Sequence, residues 1–121
     1  MTRVLIVDDE DVVINVLLGV LKAGGHECIV ARSRKEAVEA AQYAEKLDLL
    51  IIDHSLPPDR GRDIAERVRQ WHPSMKVLQI SGYSESFLEA EDSITPNAAF
   101  LAKPFTVQQV RAAVVALLAA Q

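Results

Sequence analysis

The chain has 121 residues, 13 Lys and Arg against 17 Asp and Glu, and a formal charge of -4, with half of its residues apolar and a quarter charged. That fits one globular domain and excludes a disordered chain, which would carry fewer aliphatics and a larger net charge. Cys28 is the only cysteine, which excludes a disulfide scaffold, and the longest apolar run, Ala112 to Ala120, falls far short of the roughly 20 residues that a membrane-spanning helix needs.

Val4 to Val7 is a continuous apolar run and reads as the first strand. Asp8, Asp9, Glu10 and Asp11 follow at once, a pattern that is no secretory signal, so the cytoplasm is the expected compartment. No cluster of Lys and Arg appears anywhere, which argues against nucleic-acid binding. Val12, Val13, Val16, Leu17 and Val20 make the expected core face of a helix from about Glu10 to Ala23, stopped by Gly24 and Gly25. Ile14 and Leu18 fall beside that stripe, either against the last helix or toward a partner. Cys28 to Ala31 is the second strand, with Cys28 a small buried hydrophobe. Ser33 with Glu36 is a capping box that opens a helix to about Ala44.

Leu49 to Ile52, the third strand, runs into Asp53. His54 reads as a solvent-facing loop residue, and His26 and His72 lack metal-ligand spacing to anything. A third helix from about Gly61 to Trp71 must end by Pro73, with Trp71 packing at its end. Val77 to Ile80 is the fourth strand and leads to Ser81; residues 84 to 91 fit a short helix. Ala98 to Ala102 is the fifth strand and leads to Lys103 and Pro104. Thr106 with Gln109 caps the last helix, whose expected core stripe is Val107, Val110, Val114, Leu117 and Leu118. Ala112, Val115, Ala116 and Ala119 are left outside.

Continuous rather than alternating hydrophobicity marks strands covered on both faces. Five such strands, each followed by a helix, predict an α/β domain over residues 1–121: a single doubly wound parallel sheet with helices on both faces. In such sheets the site lies at the carboxyl ends of the strands. Those ends carry Asp8 and Asp9, Asp53, Ser81 and Lys103. Gathered carboxylates repel one another, and a hard divalent cation with oxygen ligands relieves the repulsion. A carboxylate beside such a cation can attack a phosphoryl group, with Lys103 and Ser81 placed to meet its oxygens.

At these residues the chain resembles a known family. The Asp8 and Asp9 pair, Asp53 with Leu56, Pro57 and Gly61 downstream, Ser81 with Gly82, and Lys103, Pro104 and Phe105 resemble the response-regulator receiver domain of two-component signalling, over essentially the whole chain. The resemblance implies a flavodoxin-like receiver fold in which Asp53 takes a phosphoryl group from a histidine kinase or histidine phosphotransfer protein. It implies Mg2+ bound directly by Asp9 and Asp53, through water by Asp8, and by the backbone carbonyl of Ser55. Lys103 would pair with the phosphoryl group, Ser81 would be the switch hydroxyl and Phe100 the switch aromatic, although an aromatic on a strand is core as often as switch.

The wording around 81–84 and 100–105 is most similar to receivers of hybrid histidine kinases. The chain would act only on its own Asp53, by phosphorylation and autodephosphorylation, with no output domain of its own, no membrane contact, and the monomer as the favoured state. Ser81 stands where Thr is more frequent, Phe100 where Tyr is also common, and Pro58 stiffens the loop after the phosphoacceptor. The family further implies a cis bond between Lys103 and Pro104, and Ser55 and Tyr83 flanking the path of hydrolytic water, with Tyr83 either shielding it or packing away.

Two other classes share parts of this pattern. An interaction module of the same fold would have no use for Asp53 and Lys103. A phosphatase with an aspartate nucleophile requires a second Asp two residues on, where this chain has Ser55. Dinucleotide and flavin binding fail, because the loop after the first strand has no glycine and carries four acids.

Overall fold

The computed structural model describes residues 1–82 and 97–119. The helix expected over 84–91 and the side chain of Tyr83 lie outside the described residues. The main sheet has five parallel strands, β1 (Arg3–Val7), β2 (Glu27–Ala31), β3 (Leu49–Asp53), β6 (Lys76–Ser81) and β7 (Ala98–Ala102), in the order β2-β1-β3-β6-β7. Each apolar run forms its strand for the reason the pattern implies: Val4 to Val7 and Leu49 to Ile52 are completely or almost completely buried because helices cover both faces.

Helices α1 (Asp11–Ala23) and α4 (Val107–Ala119) cover one face, where Leu17, Leu21, Val110 and Val114 pack on Val4, Ile6, Leu49 and Ile51. Helices α2 (Arg34–Tyr43) and α3 (Gly61–Arg69) cover the other, where Ala37, Ala41, Ile64 and Val68 pack on Leu5, Val7, Leu50 and Ile52. Among the described residues no helix is long and apolar enough to cross a membrane.

The helix ends follow the expected caps. Ser33 Oγ accepts the Glu36 N–H at 3.2 Å while Glu36 Oε1 accepts the Arg32 N–H at 2.9 Å. Thr106 Oγ1 accepts the Gln109 N–H at 3.0 Å and Gln109 Oε1 accepts the Thr106 N–H at 2.8 Å. At the end of α1, Gly25 adopts a positive φ of 82°, a conformation that favours glycine.

Four expectations need correction. The buried residues of α1 are Ile14, Leu17, Val20 and Leu21, whereas Val12 is 75% and Val16 38% exposed. The helix is apolar over most of its circumference, so several stripes satisfy the 3.6-residue period, and the sheet engages one rotated from the expected Val12, Val13, Val16 face. In α4 the stripe is narrower than expected, with Val107 in the first turn 46% exposed. The α3 helix stops at Arg69, short of Trp71, whose ring packs on the core with the Arg67 guanidinium 4.7 Å above it. Cys28 is half-buried and packed against the core rather than enclosed by it.

Between β3 and α3 the chain also forms a small antiparallel pair, β4 (Ser55–Leu56) with β5 (Asp59–Arg60), closed by Pro57 and Pro58. Arg34 at the start of α2 reaches Asp59 of this hairpin at 3.4 Å. The peptide bonds preceding Pro58 and Pro104 are cis, the second as expected.

Candidate functional site

The strand order reverses direction between β1 and β3, and the carboxyl ends of these two central strands hold the acidic residues. Asp8 follows β1, held by its N–H to the Ala31 carbonyl at 3.1 Å. Its Oδ1 accepts the Glu10 N–H at 2.8 Å, which turns the chain into α1. The residue is 1% exposed and its Oδ2 is buried without a hydrogen-bond partner among the described residues. Burial pushes the Asp8 carboxyl up to about 6; the Asp53 charge adds to this, while the Glu10 N–H and the Lys103 charge work against it. Asp9 and Glu10 are exposed, and one oxygen from each of Asp8, Asp9 and Glu10 lies within 4.8 Å of the others.

Asp53 closes β3 and is 6% exposed. Its Oδ1 accepts the Ser55 N–H at 3.0 Å and its Oδ2 accepts from Lys103 Nζ at 3.0 Å. The same ammonium lies 3.4 Å from Glu10 Oε1. Burial alone would lower the Lys103 pKa, but the hydrogen bond and charge of Asp53, followed by the charges of Asp8 and Glu10, outweigh it and raise it. The backbone of Lys103 is fixed by its N–H to the Ser81 carbonyl at 2.7 Å. Ser81 ends β6 fully buried, and its Oγ has no partner among the described residues.

Thus Asp53 and Lys103 are in direct contact, with Asp8 close enough to feel both charges. Ser81 stands on the neighbouring strand end, its hydroxyl bonded to neither. Phe100 is half-buried on β7 opposite Gln79.

Glu10 and Gln79 are additions that sequence reasoning missed. Glu10 was legible only as the next acid after Asp8 and Asp9. His54 corrects a further expectation: it is 8% exposed rather than solvent-facing, and its Nδ1 lies 2.9 Å from Gln79 Nε2. The loop after Asp53 is pinned from below by Gly61, whose N–H donates to the His54 carbonyl at 2.9 Å.

The donor set fits a hard divalent cation: oxygens alone, one of them a carboxylate oxygen that is buried and, among the described residues, unpartnered, on an acid whose charged form the site penalises. Chemically, the arrangement offers a carboxylate nucleophile with an ammonium 3.0 Å away.

Residues 4–115 match the family of response regulator receiver domains. The chain is 29% identical to the alkaline phosphatase synthesis transcriptional regulatory protein PhoP of Bacillus subtilis, covering 96% of this chain and 48% of that protein. It is also 29% identical to the sensor kinase CckA of Brucella abortus, covering 98% of this chain and 13% of that protein. The chain therefore spans about half the length of the first relative and a small part of the second. Among solved structures, a response regulator receiver protein from Sinorhizobium medicae superposes with a TM-score of 0.87 at 28% identity, covering 98% of this chain and 95% of that one. A putative response regulator from Chloroflexus aurantiacus is 34% identical with a TM-score of 0.81, covering 98% of both chains.

Proposed function

The chain belongs to the response regulator receiver domain family, whose members accept a phosphoryl group, and from that premise we propose that Asp53 is the acceptor, with Lys103 and Ser81 as its partners. The observation that carries the reading is the 3.0 Å contact between Lys103 Nζ and Asp53 Oδ2. The ammonium faces the acceptor carboxylate and stands beside the position a phosphoryl oxygen would occupy.

The phosphodonor is a phosphohistidine of a histidine kinase or phosphotransfer protein. A carboxylate oxygen of Asp53 attacks phosphorus, the P–O bond forms as the P–N bond breaks, and the imidazole leaves and takes up a proton. Lys103 then pairs with one phosphoryl oxygen and the Ser81 hydroxyl donates to another, with Phe100 following the switch. Hydrolysis by water returns Asp53 to a carboxylate, so the chain acts only on itself.

Asp8, Asp9, Asp53 and the Ser55 carbonyl would hold Mg2+. When bound, the cation offsets the charge that gathers on the phosphoryl oxygens. The buried, unpartnered Oδ2 of Asp8 supports this assignment. Asp9→Asn is expected to weaken Mg2+ binding by about tenfold or more, read by calorimetry; equal affinity in both proteins removes Asp9 from the ligand set.

Intact-mass analysis after treatment with acetyl phosphate and Mg2+ tests the acceptor. Wild type gains one phosphoryl mass and Asp53→Asn gains none; equal incorporation in both overturns the assignment.

A further inference from the structure

Strand β6 carries an amide where its neighbours are apolar. Val77 belongs to the core on the α2 and α3 side of the sheet, whereas Leu78 and Ile80 belong to the opposite core. Alternation along the strand therefore puts Gln79 and Ser81 on the Val77 face. Both are buried, with exposures of 1% and 0%.

A buried carboxamide needs partners at both ends. The nitrogen end of Gln79 has one, 2.9 Å away at His54 Nδ1. An amide nitrogen only donates, so His54 Nδ1 is the acceptor at this contact. The carbonyl end does not: among the described residues Gln79 Oε1 is buried without a partner, and so is Ser81 Oγ.

These two orphans are complementary, one an acceptor and the other a hydroxyl with a proton to give. They belong to residues on the same face whose α-carbons are about 7 Å apart along the strand. The amide nitrogen reaches toward the strand end that carries Ser81. Asp53 pairs with Ile80, so His54, the next residue, stands level with Ser81, and it is His54 that the Gln79 nitrogen reaches. A rotation of either side chain, or a bridging water, would let the Ser81 hydroxyl donate to the Gln79 carbonyl.

Resting on the reading of Ser81 as the hydroxyl that meets the phosphoryl group, we infer that Gln79 Oε1 is the resting acceptor of that hydroxyl. Gln79 is then a positioning residue that sets how readily Ser81 is released. On phosphorylation the hydrogen bond from Ser81 to the Gln79 carbonyl breaks and one to a phosphoryl oxygen forms, with no covalent change at either residue. Because the same amide is tied to His54, the exchange is felt in the segment that directly follows the acceptor.

A four-protein cycle of wild type, Gln79→Met, Ser81→Ala and the double variant tests this, with the rate of phosphoryl incorporation from acetyl phosphate and Mg2+ followed by intact mass. Met keeps an unbranched chain and removes the competing acceptor. In the wild-type background Gln79→Met is expected to raise the rate about three- to tenfold, and in the Ser81→Ala background to leave it unchanged. An equal change in both backgrounds, the signature of a purely structural role, overturns the inference, as does no change in the first.

A second measurement needs no change at Gln79. The Gln79 side-chain amide signal in 15N-labelled protein is expected to move on phosphorylation of wild type and to stay in place in Ser81→Ala; a signal that stays in wild type, or moves equally in both, overturns the inference. Absence of any phosphoryl uptake by wild type would remove the acceptor reading and this one together, whereas uptake without coupling between Gln79 and Ser81 removes this one alone.

Discussion

Gly61 stands so close to Asp53 that a Cβ added to it would come within 2.1 Å of the Asp53 carbonyl oxygen and 3.1 Å of its carbon. The first residue of α3 is thus the floor on which the acceptor's backbone rests. Neither backbone can yield without moving the carboxylate. Gly61→Ala is expected to cost about 1–3 kcal/mol of stability, measured by urea denaturation. It should also slow acetyl phosphate uptake by about tenfold or more through displacement of Asp53. A variant with wild-type stability and rate would show that the loop has room the structure does not contain.

Asp8 makes stability depend on pH in the direction opposite to that of a salt-bridged acid. Its carboxyl sits at about 6 in the folded chain against 3.8 for an unperturbed Asp. Between these values the folded state holds a proton that the unfolded state has lost, so this contribution to stability is complete below pH 4 and disappears as pH rises past 6. Without divalent cations, Asp8→Asn should be more stable than wild type at pH 7 by up to about 3 kcal/mol. The advantage should vanish near pH 4. A pH-independent difference in chemical denaturation would contradict this origin.

Lys103 is the cation that Asp53 and Glu10 share, and its charge also reaches Asp8. Lys103→Met keeps the length and removes the charge. Phosphoryl uptake should fall by about two orders of magnitude, the scale for removing one preorganised donor from a developing anion. The Asp8 carboxyl should titrate higher than in wild type, since its attractive partner is gone; carboxyl-detected NMR reads the shift. An unchanged Asp8 titration would separate Lys103 from the acidic cluster.

His72 provides a control far from this chemistry. Buried at 8% exposure after α3, it directs Nε2 to the Ala41 carbonyl in α2 at 2.8 Å, bonding the loop after one helix to the other. His72→Phe should lose about 1–3 kcal/mol by leaving that carbonyl unpaired. Phosphoryl uptake at a temperature where the protein stays folded should match wild type, and a change in rate would imply that the α2 and α3 face communicates with Asp53.

Much of this architecture was legible in the chain because burial on both faces writes itself as unbroken aliphatic runs. Val4 to Val7 and Leu49 to Ile52 are visible without any partner in hand. The caps at Ser33 and Thr106 were legible because a hydroxyl and a carboxylate or amide three residues apart satisfy each other locally. What was hidden depends on contacts distant in sequence. The orientation of α1 could not be read, because nine of its 13 residues are apolar and the period alone does not choose among overlapping stripes. His54 looked exposed because it follows an acid and precedes a proline-rich turn; its contact with Gln79, 25 residues on, is distant in sequence. The β4 and β5 hairpin was invisible, since two-residue strands leave no periodicity to detect.

The interleaved strand order also divides the site's charge by the part of the chain that supplies it. The carboxylates come with β1 and β3 at the centre of the sheet, whereas their shared ammonium comes with β7, which among the described residues is an edge strand paired only with β6. An edge opens locally at lower free energy than the centre. Fraying of β7 alone would therefore leave Asp8 and Asp53 enclosed with their counter-charge withdrawn. Amide exchange in β7 should thus be slower when Asp8 is ionised than when it is protonated, making the edge strand's protection a reporter of the state of the sheet's centre.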